Sequence, residues 1–390
     1  MGVRTLVAQR KVRMGMVGGG EGSFIGPVHR MAAELDGQIE LVCGAFSSNA
    51  DRSRRSGQSL YALPPARCYG DFQEMFELER QLPESERMQF VAVTTPNHVH
   101  FDCVRAALSA GFHVVCDKPL THRLEDALAL EQLVQQSQRL FALTHNYTGY
   151  PMVREARELI RLGRLGKIRR VVCEYLQGWL ADDEETAGNK QAQWRTDPNR
   201  AGVAGCFGDI GSHGHNLIEY VTGLEVTAVC ADLTSFVAGR RLDDDGNVLL
   251  RFDGGARGVL FASQIAVGEE NALKLRVYGE QGGLEWSQMA PNSLLIRWLD
   301  APYEVRRTGG AGQSSAAQAA TRLPAGHPEG YLESFAVLYR NFALAIRELQ
   351  AGRSPVLDFP SVADGVRGMQ FIDSVVRSST AGSRWLDVVG

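Results

Sequence analysis

This sequence has no apolar run close to the roughly 18 residues that a membrane-spanning helix needs. No charged start leads into an apolar signal segment either, so a cytoplasmic protein with no membrane partner is the expectation. It lacks a surplus of charge: 41 Lys and Arg against 45 Asp and Glu leave a net charge of -4, which argues against nucleic acid or a membrane surface as a partner. Its seven cysteines, Cys43, Cys68, Cys103, Cys116, Cys173, Cys206 and Cys230, stand far apart, mostly in apolar strand-like stretches. With no C-x-x-C pair, they read as reduced core residues rather than a zinc or redox site. The nine histidines include no H-E-x-x-H, so no metal is expected. No internal repeat is visible, and 390 residues at a prior of about 150 per domain predict two or three domains.

What the chain does have is a glycine-rich turn after a short apolar run. Residues 12–30 read VRMGMVGGGEGSFIGPVHR. Met14, Met16 and Val17 suit a strand buried on both faces, while Gly18, Gly20 and Gly26 let the backbone turn and approach where a side chain would block it. Pro27 suits the first helical position. A strand that runs into such a loop and then a helix aims unpaired N–H groups and the positive helix end at one point, a seat for a pyrophosphate. This predicts a dinucleotide-binding turn. Ser23 stands where the third glycine of G-x-G-x-x-G would fall; Gly26 takes that role if the loop is longer, which leaves residues 21–25 as a lip over the phosphates.

Strands predicted at 41–46, 90–94, 112–116 and 140–143 alternate with helical stripes: Phe101, Val104 and Leu108 in one, stopped by Gly111, and Leu124, Ala127, Leu130 and Val134 in the next. The rhythm is that of an α/β doubly wound parallel sheet, a Rossmann domain over residues 1–145. From about 146 the pattern changes. Val153, Ala156 and Ile160 make a helix closed by Gly163, and strand-like runs follow at 168–177, 226–236, 248–252, 257–266, 273–278 and 293–299. Asp245-Gly246-Asn247 and Asp253-Gly254-Gly255 read as turns between them. An α/β domain over 146–390 is predicted, with a large, mostly antiparallel open sheet, one helical layer and a sheet face free for another subunit. Residues 181–191, polar and acidic, and 307–326, rich in Gly, Ser, Ala and Gln, read as mobile surface loops.

The second strand of such a fold usually ends in an acidic residue that binds the adenosine ribose. Here Ser47 falls at that position, with Ser48, Arg52, Arg54 and Arg55 close behind, so NAD and NADP both stay open. Thr95, Pro96 and Asn97, at the end of another strand, border the nicotinamide ribose; His98, Asp117 and Lys118 complete the cofactor side. Lys118 falls at the carboxyl end of a parallel strand, the edge where open sheets bind ligands. Asp209 and His213 lie four apart on one face of a predicted helix and put a carboxylate beside an imidazole, as proton transfer near neutral pH requires. Trp179, Trp194 and Arg195 suit the face and hydroxyls of a sugar ring. His327, Glu329 and Tyr331 follow the 307–326 segment and are placed to close over substrate. His100 and His215 read as hydrogen-bonded structural histidines.

Together, the glycine turn ending Gly26-Pro27-Val28-His29, TTPNHVH at 94–100, AGFHVVCDKPL at 110–120 and GDIGSH at 208–213 resemble the Gfo/Idh/MocA oxidoreductases, which include glucose-fructose oxidoreductase and inositol dehydrogenases. The resemblance spans most of the chain. It implies an N-terminal Rossmann domain, a C-terminal α/β domain whose open sheet makes homodimers or homotetramers, and a catalytic set that here is Lys118, Asp209 and His213. Asp117 departs from the family glutamate before the lysine. Asn216, on the substrate side, stands where many members carry aspartate.

The reaction implied is reversible hydride transfer between nicotinamide and a secondary alcohol of a sugar, glycoside or cyclitol. His213 is the base, Lys118 donates to the developing alkoxide, and Asp209 orients substrate or tunes His213. Two alternatives stay open: an NAD-dependent glycoside hydrolase that transiently oxidises C3, and a cofactor-binding sensor, which retention of the three residues disfavours.

Overall fold

In the computed structural model, which describes residues 10–388, the chain opens with five short strands separated by helices. β1 (Val12–Gly18) leads through the glycine loop into α1 (Ile25–Leu35). β2 (Ile39–Ala45), α2 (Ala50–Tyr61), α3 (Phe72–Gln81), β3 (Phe90–Thr94), α4 (Asn97–Ser109), β4 (His113–Cys116), α5 (Leu124–Ser137) and β5 (Phe141–Leu143) follow. Their sheet is parallel, in the order β2-β1-β3-β4-β5. The strands are buried on both sides because alternate residues feed two cores: Met14, Met16, Phe90 and Ala92 one, Val17, Val91 and Val93 the other. Strand order reverses between β1 and β3, so their carboxyl ends flank a crevice.

α6 (Pro151–Arg161) then precedes β6 (Ile168–Leu176). α7 (Lys190–Arg195), α8 (Pro198–Ala201) and α9 (Ser212–Thr222) separate it from β7 (Val226–Thr234), β8 (Asp245–Phe252), β9 (Arg257–Ser263), β10 (Ala272–Gly279), β11 (Gly282–Ser287), β12 (Ser293–Trp298) and β13 (Glu304–Arg307). α10 (Ser315–Ala320), α11 (Tyr331–Gln350), α12 (Val362–Thr380) and β14 (Leu386–Asp387) complete the chain. The nine strands lie in the order β13-β12-β11-β10-β6-β9-β8-β7-β14, antiparallel except for the β6–β9 pair. One face is covered: along β8, Val248, Leu250 and Phe252 are buried while Asn247, Leu249 and Arg251 point outward, and α6, α9 and α12 pack on the covered side. Both predicted sheets are present.

Local expectations give way at several points. Asp245, Gly246 and Asn247 are not a turn but the start of β8, where a Cβ on Gly246 would stand 2.4 Å from Leu233 Cδ2 and 2.7 Å from the Phe207 ring, so that glycine serves packing. Residues 307–326 carry α10 and are fastened: Ala317 and Ala320 are buried, and Ser314 N donates to Glu155 Oε2 at 2.8 Å. Residues 181–191 are likewise held, because Arg240 donates to the Leu180 and Asp182 carbonyls and pairs with Glu185 at 2.8 Å. α1 begins at Ile25, so Pro27 is its third residue, still inside the first turn where a missing N–H is harmless.

The two long helices α11 and α12 have no counterpart in the sequence reading. α11 returns to the first sheet, where Phe335, Tyr339 and Phe342 close the core face that carries Met14, Met16 and Phe90. The Tyr339 hydroxyl meets His29 Nδ1 of α1 at 2.7 Å, and Arg322 Nε reaches Asp36 at 2.7 Å. By packing, residues 331–350 are part of the N-terminal layer.

Candidate active site

β1 ends at Gly18, beside Thr94 at the end of β3, with a φ of 89° that favours glycine. A Cβ on Gly20 would stand 2.3 Å from the Phe46 carbonyl oxygen, and one on Gly26 2.2 Å from Gly19 Cα. Gly20 therefore clears the loop's floor, while Gly26 lets α1 press against the loop. The N-cap position of α1 is Phe24, whose side chain caps nothing; Gly26 N donates to Ser23 Oγ at 3.3 Å, and the other N–H groups of the first turn have no side-chain cap. A cleft of about 670 Å³ follows the crevice from the loop past Ser47, Ser48 and Arg52 on one side and residues 94–98 on the other. The cradle that a Cβ would fill, at the N-terminal end of α1, fits a dinucleotide. Ser47 Oγ accepts from Arg52 Nε at 2.9 Å, so the end of β2 offers hydroxyls and a guanidinium rather than a carboxylate.

The cleft ends at Lys118 and Asp209. Lys118 Nζ lies 2.6 Å from Asp209 Oδ1 and 2.7 Å from the Asp209 carbonyl oxygen. Arg195 Nε and Gln264 Nε2 donate to Oδ2 at 3.1 and 3.0 Å. Burial alone would raise the Asp209 pKa, but Lys118 and Arg195 hold it well below the usual carboxylate range. Phe207–Gly211 is wound as a π-helical turn ahead of α9, a local irregularity often met at functional sites. Asp209 and His213 thus face one region without hydrogen-bonding to each other; the aspartate is occupied by Lys118, Arg195 and Gln264.

His213 is held by rings, with Tyr147 at 4.9 Å and His145 at 5.5 Å between centroids. Its Nδ1 is buried without a partner. Burial, then the charge of Lys118 and His145, push the imidazole pKa well below its ordinary value, so the ring is neutral at neutral pH. Behind Lys118, Asp117 accepts from Thr144 Oγ1 at 2.8 Å and from Lys118 N at 3.0 Å, with His29 Nε2 at 3.7 Å. His29 and Thr144 therefore reach the shorter carboxylate.

Residues 12–145 match the oxidoreductase family with an NAD-binding Rossmann fold, and residues 153–285 match the GFO/IDH/MocA C-terminal domain. This chain is a GFO/IDH/MocA oxidoreductase. The uncharacterized oxidoreductase YfiI of Bacillus subtilis is 30% identical to it over 98% of both chains. Levoglucosan dehydrogenase of Pseudarthrobacter phenanthrenivorans is 27% identical over 97% of this chain and 98% of its own. Among solved structures, an oxidoreductase from Sinorhizobium meliloti is 46% identical with a TM-score of 0.87, covering 97% of this chain and 100% of that one. An inositol dehydrogenase homolog from Azotobacter vinelandii, complexed with NAD+, is 36% identical with a TM-score of 0.93 and 97% coverage of each. The chain is accordingly an NAD(P)-dependent dehydrogenase. Among its described residues no helix is long and apolar enough to cross a membrane.

In this oxidoreductase a second cavity, of about 500 Å³, opens on the other side of Lys118, Asp209 and His213. Tyr147, Tyr175, Gln177 and Asn271 line it and are tied together: the two phenol oxygens are 2.6 Å apart, Tyr175 donates to Asn271 Oδ1 at 2.6 Å, and Gln177 Nε2 donates to the same oxygen at 2.8 Å. The sequence reading named none of these four, nor Gln264. Tyr147 follows β5 on the same sheet edge as Lys118, and the strand-end rule would have found it. Asn271 and Gln264 reach the site through sheet pairing, which leaves no local signal.

The remaining expected residues divide between the two spaces. Thr95, Pro96, Asn97 and His98 line the cleft, where Asn97 Nδ2 also donates to the Ala201 carbonyl at 3.0 Å. Trp179, Arg195 and Tyr331 line the second cavity. Trp194, grouped with the substrate side, lines the cleft instead, with the Arg195 guanidinium 4.2 Å above its ring. Asn216 is buried on α9 and borders neither space. His327 is exposed, whereas Glu329 is buried and accepts from Arg322 N at 2.6 Å, which makes it an anchor for the chain. His100 sits between the two turns that carry Lys118 and Thr95, its Nδ1 2.9 Å from the Pro119 carbonyl oxygen and its Nε2 2.9 Å from that of Thr95; the neutral ring donates to one of them.

Proposed function

We propose that the protein transfers hydride reversibly between nicotinamide and a secondary alcohol of a neutral sugar, glycoside or cyclitol, with Lys118, Asp209 and His213 as its catalytic set. Residues 1–145 would hold the dinucleotide and 146–390 the substrate, with α11 bracing the first from the second. The observation that carries this reading is the meeting of cleft and cavity at Lys118 and Asp209, with a neutral imidazole beside them. Bound nicotinamide supplies the hydride chemistry at C4. In the oxidation direction His213, being neutral, takes the hydroxyl proton. Lys118 donates a hydrogen bond to the same oxygen as negative charge grows on it, and the Asp209 carboxylate keeps Nζ in place.

The cavity supports the substrate class. Phenols, amides and an indole suit hydroxyls and the apolar face of a ring. Relatives point the same way: the inositol dehydrogenase homolog has been solved with NADH and myo-inositol, and levoglucosan dehydrogenase with NADH and levoglucosan. Following nicotinamide absorbance against inositols, sugars and glycosides tests the proposal. Lys118→Ala and His213→Ala should keep cofactor binding and lose about 10²- to 10⁴-fold in turnover. Unchanged turnover in both overturns the assignment, and cleavage of an aryl glycoside with no net absorbance change transfers the site to a hydrolase.

The outer face of the nine-stranded sheet is the proposed contact with a second copy of the chain. There Val172 pairs with Val259 and Val259 with Leu249, an apolar row across three strands.

A further inference from the structure

The glycine loop brings no cation to the phosphates it is shaped for; its one charged side chain, Glu21, is an acid on the wall of the cleft. Arg52 lines the cleft beside the Ser47 end, and a second cation comes to the loop from the other half of the chain. α7 crosses the mouth of the cleft, and a Cβ on Gly22 would stand 3.7 Å from Lys190 Nζ. Among the described residues the lysines that form ion pairs are Lys118 and Lys274. Lys190 forms none, although it lines the same wall as the loop. One turn further on, Arg195 grips Asp209, and Gln191, next to Lys190, accepts from both Arg195 and Trp194. A single short helix therefore touches the glycine loop at one end and the reactive carboxylate at the other.

We propose that α7 is a strap that closes over the bound dinucleotide, with Lys190 supplying the cation to its phosphates that the glycine loop lacks. The proposal rests on the dinucleotide reading of the cleft. A phosphate oxygen in the loop would give Lys190 a charge-assisted hydrogen bond, which would fasten α7 in the position where Arg195 meets Asp209. Cofactor binding and assembly of the substrate side are thereby linked through six residues.

NADH titration by quenching of tryptophan fluorescence tests this without turnover. Because Lys190 is exposed, its variants should keep the wild-type Tm. Lys190→Ala should raise the NADH dissociation constant about tenfold and make it less sensitive to salt, while Lys190→Arg stays within about twofold. NADH should also slow tryptic cleavage after Arg195 and Arg200 in the wild type, and less so in Lys190→Ala. Wild-type binding matched by Lys190→Ala, at low salt and with equal protection, overturns the strap. Failure of the wild type to bind NADH or NADPH overturns the cleft reading beneath it.

Discussion

At the scale of the residue, with His213 as the proposed base, its burial sets the direction of the expected pH dependence. A free imidazole titrates near 6.5, and in the folded protein burial, Lys118 and His145 all oppose its protonation. A base whose folded pKa is lowered stays deprotonated, and therefore competent, below the pH at which an exposed histidine takes its proton. The expected kcat/KM profile for alcohol oxidation is flat from about pH 8 through about 6.5 and falls on the acid side of that. The profile should be recorded with NAD and NADP against whichever alcohol is turned over. An acid limb centred above about 7 would mean that another group, or a charged His213, governs the reaction.

The same residues show what sequence alone could reveal. Lys118, Asp209 and His213 stand in short motifs whose chemistry is visible without coordinates, and all three meet in space. What the motifs concealed is how they are wired. Spacing by four suggested an Asp209–His213 pair, but Lys118, Arg195 and Gln264 take up the carboxylate, and aromatic rings hold the imidazole. Partners that arrive from other strands leave no periodic trace.

At the scale of the element, the glycine loop and α1 act as one unit because Gly26 presses on Gly19. Gly26→Ala puts a methyl 2.2 Å from the Gly19 Cα, backbone against backbone, so the helix or the loop must shift. A cost of about 1–3 kcal/mol is typical of such overpacking. The expected result is a lower Tm together with weaker NADH binding, read by calorimetry and fluorescence titration on the same sample. A loss of binding with full stability would instead mean that Gly26 faces the ligand directly. The parallel strands were legible because each is short, apolar and bounded by glycine or polar turns. α11 was not, since burial spreads from Ser334 through Ile346 and blurs the half-turn rhythm of an ordinary surface helix. Even a correct helix assignment would not say which sheet it covers. Residues 307–326 misled for the opposite reason: small residues that look like a loose loop are small because α10 packs closely on α6.

At the scale of the whole molecule, the proposed contact between copies turns on the covered and uncovered faces of the large sheet. The covered face is filled by helices. Along the outer face Val172, Val259 and Leu249 lie side by side in register, and Leu249 is 48% exposed; on one flank the next row is Glu174, Phe261 and Asn247, with Arg276 paired to Glu174 at 3.4 Å, and on the other it is three exposed arginines, Arg170, Arg257 and Arg251. Such an apolar row can meet its own copy across a two-fold axis that runs along it, which lays the arginine row of one copy over the Glu174 side of the other rather than over its own arginines. If this face is the interface, light scattering should give a multiple of the chain mass for the wild type, and Leu249→Glu should shift it toward the single chain. The carboxylate would have to be buried against its symmetry mate, a cost of several kcal/mol when unpaired. Because Leu249 points away from the cleft and cavity, the variant should still bind NADH with wild-type affinity. Dissociation accompanied by loss of NADH binding would show that assembly also holds the site together, and an unchanged mass would place the contact elsewhere on the molecule.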